Sequence, residues 1–322
     1  MNYLKKMFMI MVGVILFIGS SLIPIVVAET EYPVKPIKVI VPFSAGGDTD
    51  LTIRIWADFA EKALGQPIVV INKIPPPAGT TFVAKAKPDG YVLSANAPYY
   101  LVGPNMAKVE WDIDSFEPVC RITRAVFGLT VNAESPWKTM DEFIEDAKKN
   151  PGKYSVGSAG SLNYLTLSTK YWAMQAGIEL KYVHHAGSAP AMTSLLGKHV
   201  DISMFFPQLW IPRVRDGKLR LLALGAPVKE FPGIPTFDQL GYKGYYFGYN
   251  LILAPKGTPT QVIEKLSDVT ENVLMKNPKY IQALKNINAT PAFLGPKETK
   301  ELVEDHYKII AKVTEAMGIR PK

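Results

Sequence analysis

One segment, residues 38–50, most constrains how this 322-residue chain can fold. It begins with an apolar, β-branched run that is typical of a buried parallel strand. Residues 44–47 then read Ser-Ala-Gly-Gly, and glycine tolerates positive φ angles and lets a ligand approach the backbone. Asp48 or Thr49 can cap the helix that follows. A strand, a glycine loop and a helix start together expose backbone N–H groups, which suit an anion.

The same segment is equally consistent with an ordinary βα turn, since every parallel α/β sheet contains such turns. No Gly-Lys-Ser/Thr follows the glycines, so the loop is not a P-loop. The G-x-G-x-x-G fingerprint of dinucleotide sites is also missing. If the segment is a site, we therefore predict a small anion as its ligand and not a nucleotide.

The amino-acid composition indicates which classes of protein this chain can belong to. The chain is 48% hydrophobic and 20% charged, which is typical of a globular protein long enough for two domains. Its formal net charge is +7, but acidic and basic residues are interspersed and no Lys/Arg-rich run occurs. We therefore predict no nucleic-acid partner.

The N-terminal residues 1–28 have the pattern of a secretory signal peptide. Lys5 and Lys6 precede an apolar run over residues 7–18, and Val26 and Ala28 are small residues at −3 and −1 of a cleavage point. The alternative is an uncleaved anchor, although the apolar run is short for a membrane span. We expect cleavage after about Ala28 and a periplasmic location.

The order of predicted elements indicates an α/β fold with two doubly wound domains and a cleft between them. Strands and helices alternate from residue 37 to 95 and again from residue 154 to 224. A short helix is expected to start at about Thr80, and the chain after residue 258 reads as helices without a strand. The predicted domains are residues 29–130 plus 253–322, and residues 131–252.

Several residues at predicted loops are candidates for the cleft. Gly157 to Ser161 repeats the strand–glycine–helix arrangement of the first segment, so one loop from each domain can hold the same acidic solute. Tyr99 follows the third strand and is expected either to line a pocket or to cover the sheet edge. Asp201 is equally consistent with a cleft ligand and with a turn cap.

The sequence contains few of the motifs that indicate an enzyme or a metal site. Ser158 lies in V-G-S-A-G, which lacks the first glycine of the G-x-S-x-G nucleophile motif. A secreted serine hydrolase using Ser158 with His184 or His185 stays an alternative, and it would require a hydroxyl–imidazole contact. No Cys cluster, H-E-x-x-H motif or carboxylate cluster appears, so we predict no metal and no cofactor.

An ordered set of short strings resembles the extracytoplasmic solute receptors of tripartite tricarboxylate transporters, the Bug or TctC-type proteins. The strings include Y-P-V-K-P-I-K-V-I-V-P-F (32–43), G-G-D-T-D (46–50), L-G-Q-P-I-V-V (64–70), K-P-D-G-Y (87–91), G-S-A-G (157–160), G-S-A-P-A (187–191) and A-P-K-G-T-P (254–259). Together they cover essentially the whole chain after the signal peptide.

The resemblance implies a two-domain receptor of the periplasmic-binding (Venus flytrap) type that binds a small organic acid and passes it to a membrane permease without turnover. We also expect a monomer. The residues matching the family's first carboxylate-binding loop are Phe43, Ser44, Ala45, Gly46, Gly47, Asp48 and Thr49. Those matching the facing wall are Ser158, Ala159, Gly160, Ser161 and Asp201.

The chain departs from the family at the second loop, where Pro75-Pro76-Pro77 stands in place of a glycine-rich string. An amino-acid receptor of another transport class is a further alternative, with Asp201 as the partner of the ammonium group.

Overall fold

The computed structural model describes residues 32–161, 163–244 and 247–319, which form two mixed β-sheets with flanking helices. The strands are β1 (Ile37–Val41), β2 (Ile68–Asn72), β3 (Val92–Asn96), β4 (Phe116–Val126), β5 (Gly128–Asn132), β6 (Ser155–Ser158), β7 (Lys181–His184), β8 (Ile202–Phe205), β9 (Leu219–Leu224), β10 (Phe247–Pro255) and β11 (Thr290–Leu294). The α-helices are α1 (Asp48–Leu64), α2 (Pro76–Ala84), α3 (Tyr99–Met106), α4 (Met140–Lys149), α5 (Tyr164–Ala176), α6 (Ser188–Leu196), α7 (Pro207–Arg215), α8 (Thr260–Asp268), α9 (Pro278–Asn286) and α10 (Pro296–Ala316). A 3₁₀ turn spans Ile113–Ser115, and a π-helical turn over Val269–Leu274 extends α8.

The six-stranded sheet has the order β11-β4-β10-β3-β1-β2. β1 runs parallel to both β2 and β3, as the buried β-branched run of β1 predicts. β10 is antiparallel to β3 on one side and to β4 on the other. A strand from the C-terminal part of the chain therefore lies in the middle of a sheet that the N-terminal part begins.

The five-stranded sheet has the order β7-β6-β8-β5-β9. β6 is parallel to β7 and β8, and β5 is antiparallel to β8 and β9. All of its strands come from one continuous part of the chain.

The chain changes from one sheet to the other at Phe127 and again between β9 and β10. Phe127 is fully buried, and its ring packs 5.0 Å from that of Phe206 and 5.7 Å from that of Tyr164. The predicted domain limits at 130/131 and 252/253 fall inside β5 and β10, so the sheet changes before each limit. The described residues from Pro33 onward form one compact unit.

Three elements differ from the sequence-based expectation. α2 begins at Pro76 and not at Thr80, because a proline in the first helical turn needs no N–H partner. Residues 99–106 form α3, although Pro104 lies inside it. The C-terminal part contributes β11, which pairs with β4 at the sheet edge, where Pro291 is tolerated; the expectation of helices alone was wrong there.

Within the described residues, no helix combines the length and the apolar character that a bilayer span requires. The predicted signal peptide, residues 1–28, lies outside the described residues.

Candidate functional site

The side chain of Asp50 fixes the conformation of the loop after β1. Its carboxylate accepts hydrogen bonds from the Gly46 backbone N–H (2.9 Å), from Arg54 Nε (3.0 Å) and from Asn72 Nδ2 (2.9 Å). Burial alone would raise the pKa of Asp50, but these hydrogen bonds outweigh it and hold the pKa below its ordinary value. Gly46 has a φ of +77°, so the turn requires glycine there. Asp50 is thus a positioning residue for the loop.

The start of α1 has no side-chain cap. Gly47 is the N-cap residue, and no side-chain oxygen accepts a hydrogen bond from the first turn. The first N–H groups of a helix have no intrahelical partner, and the helix dipole makes them attractive to a negative charge. This end of α1 is therefore open to an external acceptor.

A second helix without a side-chain cap faces the first from the five-stranded sheet, and it is α6. Its N-cap residue is Gly187, directly after the loop that follows β7. The predicted partner, α5, is capped by its own chain, because Asn163 Oδ1 accepts from the Leu165 N–H at 2.8 Å. Sequence reasoning missed α6 as the facing helix, although Gly-Ser-Ala-Pro after a strand was the available signal.

These two helix starts open into one cavity between the sheets, of about 60 Å³. Its wall is mostly apolar and aromatic, with a few polar groups, as is usual for small-molecule sites. The lining residues are Phe43, Ser44, Gly47, Asp48, Thr49, Pro76, Ala97, Pro98, Tyr99, Ala159, Asn163, Tyr164, Leu165, Ala186, Gly187, Ser188, Ala189 and Phe206. An adjoining cavity shares Tyr99 and Ala159 with it and adds Gly160, Ser161 and the prolines of the second loop.

The two facing loops touch directly. Ser44 Oγ donates a hydrogen bond to the Ala186 carbonyl oxygen at 3.0 Å. A Cβ atom built on Gly187 would lie 2.9 Å from Ser44 Oγ and 3.3 Å from Ser44 Cβ. The close approach of the two loops therefore depends on the missing side chain at residue 187.

Among the described residues, Asp48 is the one Asp, Glu, Lys, Arg or His that lines this cavity. Its Oδ2 accepts a hydrogen bond from Asn250 Nδ2 at 2.8 Å, and its Oδ1 has no hydrogen-bond partner. Burial raises the pKa of Asp48 to about 7, against the weaker opposing effects of the Asn250 and Gln208 amides. Thr49 Oγ1 donates to Asn250 Oδ1 at 2.7 Å, which fixes the orientation of the Asn250 amide.

Aromatic residues form much of the remaining wall. Tyr99 is buried and packs edge-on against Phe43, with ring centroids 5.7 Å apart. Tyr164 reaches from the start of α5 to α10, where its hydroxyl lies 2.7 Å from His306 Nε2. His306 Nδ1 lies 2.7 Å from the Tyr249 hydroxyl, and burial lowers the pKa of His306 to about 3. This neutral imidazole joins the wall of the cavity to the six-stranded sheet.

Four predicted site residues lie elsewhere. Ala45 and Gly46 line neither cavity, and the Gly46 N–H is already used by Asp50. Ser158 is buried, with its Oγ 2.7 Å from His184 Nδ1. Asp201 accepts hydrogen bonds from the Ser155 backbone N–H (2.7 Å) and hydroxyl (2.8 Å) at the start of β6.

Asp201 therefore lies at the opposite end of β6 from the loop that reaches the cavities, and it fits the turn-cap alternative. The structure does bring the other nine predicted residues to the cavities, namely Phe43, Ser44, Gly47, Asp48, Thr49, Tyr99, Ala159, Gly160 and Ser161. Among the described residues, no group of three or more His, Cys, Asp or Glu side chains is arranged to hold a metal ion.

Comparison with known proteins identifies the family of this chain. The profile of the family described as "Tripartite tricarboxylate transporter family receptor" matches residues 52–319. A curated relative, "UPF0065 protein in gbd 5'region" from Cupriavidus necator, is 34% identical over 310 residues, covering 94% of this chain and 93% of the relative.

Solved structures show the same fold. The periplasmic binding protein BugD is 30% identical with a TM-score of 0.83, covering 90% of this chain and 100% of BugD. An R. palustris protein determined with adipate (25% identical, TM-score 0.83) covers 90% of this chain and is itself covered completely. MatC from Rhodopseudomonas palustris with bound malate (25% identical, TM-score 0.79) covers 88% of this chain, with 99% of MatC matched. The chain belongs to the tripartite tricarboxylate transporter receptor family, and it is a solute receptor of the Bug/TctC type.

Proposed function

We propose that this receptor captures a small mono- or dicarboxylate between the N-termini of α1 and α6 and delivers it to the membrane permease of a tripartite tricarboxylate-type transporter. The observation that carries the proposal is that two helix starts without side-chain caps, one from each sheet, line the same cavity. Backbone N–H groups and the ends of two helix dipoles bind a carboxylate without a basic side chain. The adipate and malate in two structural neighbours support an acid as ligand.

Closure of the cavity accompanies capture in this proposal. The Ser44–Ala186 hydrogen bond joins the two sides, and the two chain crossings at Phe127 and before β10 allow the sides to separate. Binding of the acid adds contacts to both sides at once and so favours the closed arrangement. The division into two domains stays a prediction, which the motion of the two sheets in solution would test.

The proposed receptor is not an enzyme and uses no cofactor. The Ser158–His184 contact is what a serine hydrolase would need, yet neither residue lines the two cavities. Burial, followed by Lys170 and His185, lowers the pKa of His184, so its surroundings disfavour the imidazolium that a hydrolase must stabilise. We expect Ser158→Ala to keep acid binding, and ester hydrolysis that disappears in this variant would favour the hydrolase instead.

The location, the monomeric state and the permease partner belong to the same proposal. A signal peptide that ends at about Ala28 would release a mature periplasmic chain that begins with Glu29. N-terminal sequencing of the exported protein tests the cleavage point, and size-exclusion chromatography with light scattering tests the monomer.

A thermal-shift screen tests the proposed ligand class. Mono-, di- and tricarboxylates are compared with sugars, free amino acids and metal ions at matched concentrations. A ligand that binds the native state raises Tm by mass action, so we expect at least one acid to give a saturable increase. Stabilisation by sugars or metals alone would overturn the proposal.

A further inference from the structure

Asp48 lines the ligand cavity, and one oxygen of its carboxyl group is buried without a hydrogen-bond partner. The residue is 5% exposed, its Oδ2 is bound by Asn250, and its Oδ1 has no partner. The Asn250 side chain cannot turn to serve both oxygens, because its own Oδ1 accepts from Thr49. A buried polar atom without a partner is costly, so Oδ1 is suited to a hydrogen bond with a ligand.

The groups around Asp48 do not neutralise it. From the five-stranded side, the uncharged amide of Gln208 on α7 comes close and lowers the pKa of Asp48, by less than burial raises it; neither amide atom meets the geometry of a hydrogen bond. From α1 itself, the Asp50 carboxylate is held by Arg54 on the far side of the loop. From α3, Tyr99 has a pKa raised by burial and stays neutral.

The remaining neighbours are uncharged as well. Thr52 and Thr123 approach the Asn250 amide, and His306 behind Tyr164 is neutral because burial lowers its pKa to about 3. Within the described residues, no lysine or arginine lines either cavity, and no histidine lines the cavity that holds Asp48; His185 lines the adjoining one. A ligand carboxylate that enters this wall therefore faces an acid without a counter-charge.

Two carboxylates in a water-excluding cavity do not both stay ionised. Burial already raises the pKa of Asp48 to about 7, so the proton needed for the neutral form is available near neutral pH. A protonated carboxyl group donates a hydrogen bond, which an ionised one cannot do. Protonation thus turns a repulsive contact into an attractive one.

We propose that Asp48 is a specificity-determining residue that binds the ligand as a neutral carboxylic acid, with Oδ1–H donating to a carboxylate oxygen of the bound acid. One proton passes from solvent to Asp48 when an anionic ligand binds at a pH where the free carboxyl is ionised. This inference rests on the proposed function. A ligand with an ammonium group would instead require the ionised carboxylate, and its binding would release a proton at lower pH.

Isothermal titration calorimetry tests the proton uptake directly. Adipate and malate are titrated into the mature protein in HEPES and in Tris buffer, whose ionisation enthalpies differ, at pH 7 and at pH 8. Both acids are fully ionised at pH 8, so uptake there belongs to the protein. We expect close to one proton at pH 8, about half a proton at pH 7, and a Kd that weakens about tenfold between pH 8 and pH 9.

Two variants locate the proton. Asp48→Asn keeps a donor at the same place but does not titrate, so we expect binding without uptake and with a Kd that is unchanged from pH 6 to pH 9. Asp216→Asn, at the exposed C-terminal end of α7, removes one carboxylate elsewhere and should keep the uptake of the wild type.

Each outcome decides something. Binding of either acid at pH 8 without proton uptake, or with release, overturns the role of Asp48 while the proposed function stands. If a folded Asp48→Asn variant takes up as many protons on binding as the wild type, the role of Asp48 is also overturned. If that variant does not fold, the number of protons taken up by the wild type decides the question alone. If neither acid nor any other in the thermal-shift panel binds, the proposed function fails, and this inference fails with it.

Discussion

The contact between the two facing loops allows a sharp test of the closed cavity. Gly187 has φ 174° and ψ 178°, an extended conformation that does not require glycine. A Cβ at this position would nevertheless lie 2.9 Å from Ser44 Oγ and 3.3 Å from Ser44 Cβ. Gly187→Ala therefore opposes closure by steric contact and not by backbone strain.

The expected magnitude follows from two effects. Displacing Ser44 breaks its hydrogen bond to the Ala186 carbonyl, which is worth about 1 kcal/mol. Forcing a methyl group into a packed contact costs about 1–3 kcal/mol. The total of about 2–4 kcal/mol corresponds to a Kd for the bound acid that is weaker by roughly thirty- to a thousandfold.

Calorimetric titration of the stabilising acid measures this loss. The matched control is Gly233→Ala, because a Cβ there meets no atom within 4 Å and its φ is not in the left-handed region. A double variant identifies the cause: in a Ser44→Gly background the clash partner is absent, so Gly187→Ala should cost much less. Binding of Gly187→Ala within twofold of the wild type, or an equal cost in both backgrounds, would refute the reasoning.

Three further variants test other parts of the site. Gly47→Val places a Cβ atom 3.3 Å from the Ser44 carbonyl oxygen and a branched side chain at the start of α1. Stabilisation by the acid in a thermal-shift assay should therefore disappear, while the circular dichroism spectrum stays unchanged. Retained stabilisation would argue against this loop as the anion site. Tyr164→Phe removes the 2.7 Å contact with His306 and should lower the free energy of unfolding in urea by about 1–3 kcal/mol; an unchanged value would show that the contact does not stabilise the fold. The ligand-free wild type should lose stability as pH rises from about 4 to 7, because the folded state, with a raised pKa at Asp48, binds more protons than the unfolded state. At pH 8 the free energy of unfolding of Asp48→Asn should exceed that of the wild type by up to about 4 kcal/mol. The favourable interaction of the ionised Asp48 with the dipole of α1 makes this difference smaller. Equal urea midpoints of the two proteins at pH 8 would contradict the prediction.

The sequence predicted those parts of the fold that depend on local pattern. The β-branched run of β1, the glycine loop and the apolar spacing of α1 each follow from neighbouring residues, and all three formed as expected. The predicted alternation of strands and helices between residues 154 and 224 also formed, from β6 to β9. The resemblance to the receptor family was confirmed by its profile.

The facing wall could not be predicted in the same way. The choice between α5 and α6 depends on the Asn163 side chain, which caps α5, whereas α6 has no side-chain cap. Which helix starts share a cavity is a property of the tertiary fold, as Ser44 and Ala186, 142 residues apart, demonstrate. The environment of Asp48 was equally hidden, since Asn250 lies 202 residues along the chain.

The central position of β10 has a consequence for the order of folding. During synthesis the whole five-stranded sheet is complete at residue 224, whereas β4 and β3 cannot be joined until residues 247–255 arrive. A nascent chain that stops before residue 247 would hold one complete five-stranded sheet beside the β3-β1-β2 group and the separate strand β4, each with an exposed pairing edge. Truncations between residues 225 and 246 should therefore aggregate, and the loop after β1 should gain its ligand-binding shape only when the last third of the polypeptide has been made.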